Sequence, residues 1–124
     1  MSVGYTLVNN SRKEQIMFLH LPVSTMREIL GNPVSSYIVD WYKQQHTSDD
    51  IDFVSDTYDD WPFETGSRED LADYEEITEA IIASLVEKGA IIDNGLDWQD
   101  EDEPETIFIR DLVLAAKTEQ ENEN

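Results

Sequence analysis

Residues 32–46, NPVSSYIVDWYKQQH, carry the clearest secondary-structure signal in the chain. Asn32 suits the N-cap of a helix, and Pro33 suits the first helical position, where its missing N–H costs nothing. Large side chains then recur at the i, i+3, i+4, i+7, i+8, i+11 spacing of one helical face. These positions are Val34, Tyr37, Ile38, Trp41, Tyr42 and Gln45. The pattern predicts an amphipathic helix over 34–46 with Trp41 in the middle of its apolar stripe.

The segments around this helix alternate between strand and helix signals. Thr25 and Glu28 have the spacing of a capping box, which predicts a short helix that ends at Gly31. A second long helix is predicted over 74–88, begun by a capping box at 73–76 and stopped by Gly89. Short β-rich runs lie at 3–8, 15–21, 51–55, 90–92 and 106–109. Residues 56–72 have the composition of an ordered loop, and 111–117 that of a terminal helical turn.

This order of elements predicts an α+β fold: a mainly antiparallel sheet of about five strands, with two longer helices (34–46 and 74–88) and one short helix packed on it. The length of 124 residues favours a single domain, which we place at 1–117. The polar, acidic residues 118–124 are predicted to be a disordered tail.

The composition limits where the protein works. The chain has no cysteine, so disulfides and thiolate metal sites are excluded. The N-terminus lacks the pattern of a signal peptide, and no apolar run approaches the ~18 residues that span a bilayer. A soluble, cytoplasmic protein is therefore expected.

The negative charge is confined to the second part of the chain. Residues 1–47 carry four bases and three acids, whereas residues 48–124 carry 25 acids and four bases. The net charges of the two parts are +1 and −21, which together give −20. Such a charge repels nucleic acid and anionic lipid, because both require surface lysine and arginine. It favours a basic protein surface as the partner.

The residues that could carry chemistry do not form a known pattern. The acids between Asp49 and Asp60 lack the alternating ligands and the glycine of a calcium loop. His20 lies in an apolar run, which favours a structural role, and His46 lies at the end of the predicted helix. No serine has a glycine elbow. We therefore predict no catalytic residue, no metal ligand and no cofactor, and the sequence favours a protein that is not an enzyme.

Two clusters combine tryptophan with acids, an arrangement typical of interfaces in which aromatic anchors are ringed by charge. The predicted partner-binding residues are Asp59, Asp60, Trp61 and Glu64 in the first cluster, and Asp97, Trp98, Asp100 and Glu101 in the second. The alternative is that the aromatics pin loops from inside. We predict Phe63 to be buried and Trp98 to be exposed, and the sequence leaves Trp61 open.

Three hypotheses for function remain. The first is a small acidic interaction or inhibitor protein that docks a basic partner, as an immunity protein or a nucleic-acid mimic does. The second is a small enzyme or ligand-binding domain whose pocket the sequence does not reveal. The third is an acidic cytosolic domain with no dedicated basic partner. The near-neutral first 47 residues oppose the third hypothesis, because a general acidic adaptation would affect the whole chain. The sequence favours the first.

Overall fold

The computed structural model describes residues 3–57 and 60–115. The strands are β1 (Tyr5–Asn9), β2 (Glu14–Ile16), β3 (Ile51–Ser55), β4 (Glu75–Glu76), β5 (Ile91–Gln99) and β6 (Phe108–Leu114). The helices are α1 (Met26–Gly31), α2 (Pro33–Gln45), α3 (Thr78–Glu87) and a 3-10 helix (Arg68–Asp73). The α+β class is confirmed.

The strands form two sheets, so the prediction of one mainly antiparallel five-stranded sheet is wrong. The first sheet has the order β3-β1-β2-β4, and its outer pair β2–β4 is parallel. The second is the antiparallel hairpin β5–β6. The edge of β2 that does not pair with β1 pairs with β4. The Glu75 amide donates to the Lys13 carbonyl, and the Ile77 amide donates to the Gln15 carbonyl. That edge is therefore not open to the C-terminal strands, which pair with each other.

The caps of the first two helices are as predicted. The Asn32 side-chain oxygen accepts from the Val34 and Ser35 amides at 2.9 and 3.1 Å, and Pro33 is the first residue of α2. Thr25 and Glu28 form the complete capping box of α1. These local hydrogen bonds satisfy backbone donors that a helix leaves without partners at its start.

Strand β2 ends at Ile16, so the predicted strand over 15–21 is wrong beyond that residue. Phe18 and His20 have φ angles of 57° and 66°, which a continuing strand does not permit. The turn places the Met17 and Phe18 amides 3.2 and 3.1 Å from the hydroxyl oxygen of the buried Thr78. The turn is thereby tied to the start of α3.

Two predictions in the second part are also wrong. The predicted helix over 74–88 begins only at Thr78, because Glu75 and Glu76 extend beside β2 instead of forming the first turn of the helix. The predicted helical turn at 111–117 is strand β6 as far as Leu114. The predicted tail, 118–124, lies outside the described residues.

The four-stranded sheet is covered on both faces. Alternation along the strands turns Leu7 and Ile16 toward the three α-helices, where they join the larger hydrophobic cluster. Val8 and Val54 point the other way and pack against Phe63 and Tyr74 of the segment that leads into β4. The hairpin joins the helix side through three residues: Ile91, Leu112 and Leu114.

Candidate functional site: the acidic hairpin

The β5–β6 hairpin has one face turned to the protein. Phe108, Arg110, Leu112 and Leu114 alternate along β6 and share this inner face. The Phe108 ring stacks on the His20 imidazole with centroids 3.7 Å apart, while Leu112 and Leu114 pack on the core. The hairpin is therefore held against the helices by its inner face and by the end at which β5 begins and β6 finishes.

Arg110 fixes this orientation with charged hydrogen bonds. Its guanidinium donates to Glu79 of α3 at 2.6 Å and also to the carboxylate of Asp93 on β5. Its backbone amide donates to the His20 carbonyl at 3.0 Å. The hydrogen bond from Arg110, together with that from the Gly95 amide, lowers the pKa of Asp93. Asp93 therefore stays ionised, and paired with the arginine, to a lower pH than an ordinary aspartate.

The end of the hairpin is strongly acidic. Residues 97–105 contain six acids and no base. The Asp100 carboxylate shapes the turn, because it accepts from the Asp102 and Glu103 amides at 2.9 and 3.0 Å. Within the described part of the chain the carboxylates of Asp97, Glu101, Glu103 and Glu105 have no hydrogen-bond or ion-pair partner, so they project charge outward.

Trp98 lies on the outer side of this acidic end. Its side chain is 52% exposed, as its acidic surroundings predicted. It stands opposite Ile109, and further along the ribbon Ile92 stands opposite Val113. Ile92 and Val113 are also exposed. Large apolar side chains that stay in water on one side of a ribbon are typical of a contact surface.

The Trp61 cluster has a different structural setting. The Trp61 indole N–H donates to the Thr65 carbonyl at 3.0 Å, and the ring packs edge-on against Phe63 and Tyr74. Phe63 is buried, as predicted. The Asp60 carboxylate accepts from the Ser55 amide at 2.5 Å. Asp60 and Trp61 therefore hold the segment that covers the sheet.

Two further members of that cluster complete its description. Glu64 is exposed, and Asp59 lies outside the described residues. The Trp61 cluster packs on the sheet face that carries Val8 and Val54, whereas the hairpin packs on the helix side. The described members of the two predicted clusters thus do not form one surface.

Another group of polar side chains surrounds the buried Tyr42 and is bonded internally. The Tyr42 hydroxyl donates to Glu14 at 2.7 Å and accepts from the Asn9 amide at 3.0 Å, while Asn9 also donates to Asp49 at 2.9 Å. Burial raises the pKa of Tyr42 well above its ordinary value. The Nδ1 atom of His46 lies 3.3 Å from the Oδ2 atom of Asp49. These groups tie α2 to the sheet.

Two clefts in the described residues are open to solvent. One, of about 350 Å³, lies beside Arg68 between the start of β1 and the end of β3, and another, of about 360 Å³, lies within 102–106 of the hairpin loop. Neither is lined by a histidine. Across residues 3–57 and 60–115 no group of three His, Asp or Glu side chains is arranged to hold a metal ion.

The role of Arg110 as an anchor does not follow from a local sequence pattern. The available signal was its isolation, since Arg110 is one of four bases among 25 acids in residues 48–124 and lies in an apolar run. A lone base at such a position is commonly paired. Its partners, Glu79 and Asp93, are distant in sequence and follow no local spacing.

The fold and the hairpin define the class: a small α+β protein with a sheet covered on both faces and an anchored acidic hairpin. Comparison with protein-family models, with curated proteins and with solved structures finds no match. Within the described ranges no helix combines the length and the apolar character needed to cross a bilayer.

Proposed function

We propose that this protein is a small acidic interaction or inhibitor protein whose β5–β6 hairpin docks a basic partner protein. The observation that carries the proposal is Trp98, half exposed beside an acidic end that is free of bases. A large aromatic supplies contact energy once it is desolvated, and surrounding charge steers the encounter. The hairpin combines both on a ribbon held in place by Arg110.

The negative charge of the hairpin favours a partner surface of positive charge. Residues 91–114 contain eight acids and one base, and that base, Arg110, is already paired with Glu79 and Asp93. The potential at the hairpin is therefore negative, which accelerates encounters with cationic surfaces and slows those with nucleic acid or anionic lipid. A basic protein surface fits this field best.

The hairpin is the better supported of the two predicted clusters. The acids at 97 and 101 are free of internal bonds in the described structure, whereas Asp60 and the Trp61 indole are committed to loop contacts. Separation of Trp61 from its loop would expose Phe63 and Tyr74, which are buried. Trp98 is accessible without any such rearrangement.

The kind of activity follows from this surface. A protein that covers a basic site with an acidic, aromatic ribbon acts by occupancy, as an immunity protein blocks a toxin or a nucleic-acid mimic fills a nucleic-acid site. No bond is made or broken, so the proposal needs neither a catalytic residue nor a cofactor.

The test compares two variants of equal net charge. The hairpin variant combines Asp97→Asn, Glu101→Gln, Glu103→Gln and Glu105→Gln, and it spares Asp100 because that carboxylate shapes the turn. The control variant combines Glu64→Gln, Glu69→Gln, Asp73→Asn and Glu87→Gln, all of them exposed residues outside the hairpin. Wild type and both variants are used to capture proteins from the native cell at low and at high salt, and binding is then measured with the purified captured protein.

Wild type and the control variant are expected to retain a basic protein that salt releases. The hairpin variant is expected to associate with it about tenfold more slowly at low salt, because steering depends on charge at the contact site. Equal losses in the two variants would mean that only total charge matters, and failure of wild type to retain any basic protein at low salt would contradict the proposal.

A further inference from the structure

We infer that the partner element seated on the hairpin is a cationic amphipathic helix, which lies along the outer face of the β5–β6 ribbon. The outer face consists of Ile92, Trp98, Ile109, Asp111 and Val113. This inference rests on the proposed function and adds to it the form and chemistry of the partner element.

The outer face is mostly apolar. Ile109, Asp111 and Val113 alternate along β6 and share one side, opposite to the side on which Arg110 and Leu112 meet the protein. The register places Trp98 opposite Ile109 and Ile92 opposite Val113. Ile92, Trp98 and Val113 are 46%, 52% and 41% exposed, whereas Ile91, next to Ile92 and facing inward, is 1% exposed.

The dimensions of this face match one helix. Two strands about 5 Å apart, with their side chains, present a strip about as wide as a helix with a diameter of about 10 Å. From Ile107, which is exposed and directly precedes β6, to Val113 the extended chain covers about 20 Å, the length of about 13 helical residues. A helix with apolar residues at i, i+3, i+4 and i+7 would cover Trp98, Ile109, Ile92 and Val113 in one contact.

Acids border this strip and determine the charge of the helix. Asp111 lies within the face, and Asp97 and Glu101 are exposed near Trp98. A helix that covers the strip must present lysine or arginine beside its apolar positions, because an uncharged helix would leave Asp111 desolvated without a partner.

Two other occupants fit the structure less well. A strand added to the edge of β5 would meet two interruptions of the ladder, between Asp93 and Leu96 and between Leu96 and Trp98, and such bulges blunt an edge. A second copy of the chain would bring another net charge of −20 to an acidic surface. The cationic helix avoids both difficulties.

The test uses the full chain, labelled with ¹⁵N, and three synthetic probes at physiological salt. The first probe is a 14-residue peptide of leucine and lysine with helical amphipathic spacing. The second has the same composition in strict alternation, which favours a strand, and the third is oligolysine of equal charge. Amide shifts map the contact, and the titration gives each dissociation constant. The variants are Val113→Ser and Ile92→Thr on the face, with Leu30→Ser, an exposed leucine of α1, as the control.

The helical probe is expected to shift amides of 92–98 and 107–113 and to bind about tenfold more tightly than oligolysine. Each face variant is expected to lose most of the difference in affinity between the helical probe and oligolysine, with oligolysine binding unchanged. Leu30→Ser is expected to change the affinity for neither probe. The helical probe and oligolysine could instead bind equally well, with both losing affinity for the hairpin variant that carries four substitutions. That result would overturn the inference of a helical partner element and would leave the proposed electrostatic docking standing. Tighter binding of the alternating probe, or shifts scattered away from the hairpin, would also overturn that inference.

Discussion

Ile38→Ala is expected to lower the free energy of unfolding by about 2–5 kcal/mol, the range for removal of a fully buried branched side chain. Ile38 has no exposed surface and belongs to the larger hydrophobic cluster. The cavity left by alanine would lie where α2 packs on the sheet. Denaturant unfolding measures the change, provided that the dependence on denaturant is the same in both proteins.

Trp41→Ala provides the comparison within the same helix. Trp41 is only partly buried, at the margin of the cluster, and the Lys88 ammonium lies 5.6 Å from its ring centroid. We expect it to lower the unfolding free energy by less than about 2 kcal/mol despite the larger side chain. Gln44→Ala, at an exposed position of α2, should change it by less than about 0.5 kcal/mol. A greater loss for Trp41→Ala than for Ile38→Ala would contradict the packing of α2.

Trp98→Ala is expected to weaken binding of the basic partner by about 30-fold, which corresponds to a loss of about 2 kcal/mol. The reason is that Trp98 is half exposed in the free protein and offers the largest apolar surface at the acidic end. The loss should arise from faster dissociation, with the association rate almost unchanged, because the steering acids remain. Surface plasmon resonance separates the two rates.

Leu30→Ala is the control for Trp98→Ala. Leu30 is also a large exposed apolar residue, at 54%, but it belongs to α1 and not to the hairpin. Neither substitution should reduce the unfolding free energy by more than about 1 kcal/mol, since both side chains are in water. Equal affinity of Trp98→Ala and wild type for the partner would remove Trp98 from the interface.

The starts of α1 and α2 could be predicted from the sequence because they depend on neighbouring residues. Asn32 bonds amides two and three positions ahead, and Thr25 and Glu28 bond each other across one turn. The predicted stripe of α2 was less accurate at its margin. Ser35 and Val39 are buried although they lie outside the predicted stripe, because α2 has neighbours on more than one side.

The sheet could not be predicted to the same extent, because its pairings join distant segments. Glu75 and Glu76 have the composition of a helix start, yet they pair with Glu14 and Gln15. Gln15 stabilises this arrangement, since its side-chain amide donates to the carbonyls of Leu71 and Tyr74. No local spacing encodes those bonds.

The candidate site was predictable in its chemistry and only partly in its geometry. The density of acids around Trp98 indicated an exposed side chain, and Trp98 is exposed. The same pattern around Trp61 was ambiguous. In the structure the Trp61 indole donates to the Thr65 carbonyl, and the Asp60 carboxylate accepts from the Ser55 amide. These bonds commit both side chains to the loop. Pattern and charge thus identified both clusters, while tertiary contacts distinguish between them.

The most direct test of hairpin docking is photo-crosslinking in the native cell. A photoreactive benzoylphenylalanine is placed at position 98, and in a separate protein at position 30. We predict that the photoreactive residue at position 98 crosslinks to one basic protein and that the residue at position 30 does not. The yield of this crosslinked product should fall when the four hairpin substitutions are also present. Equal crosslinking from both positions, or products at position 98 that are unaffected by the hairpin charges, would contradict the account.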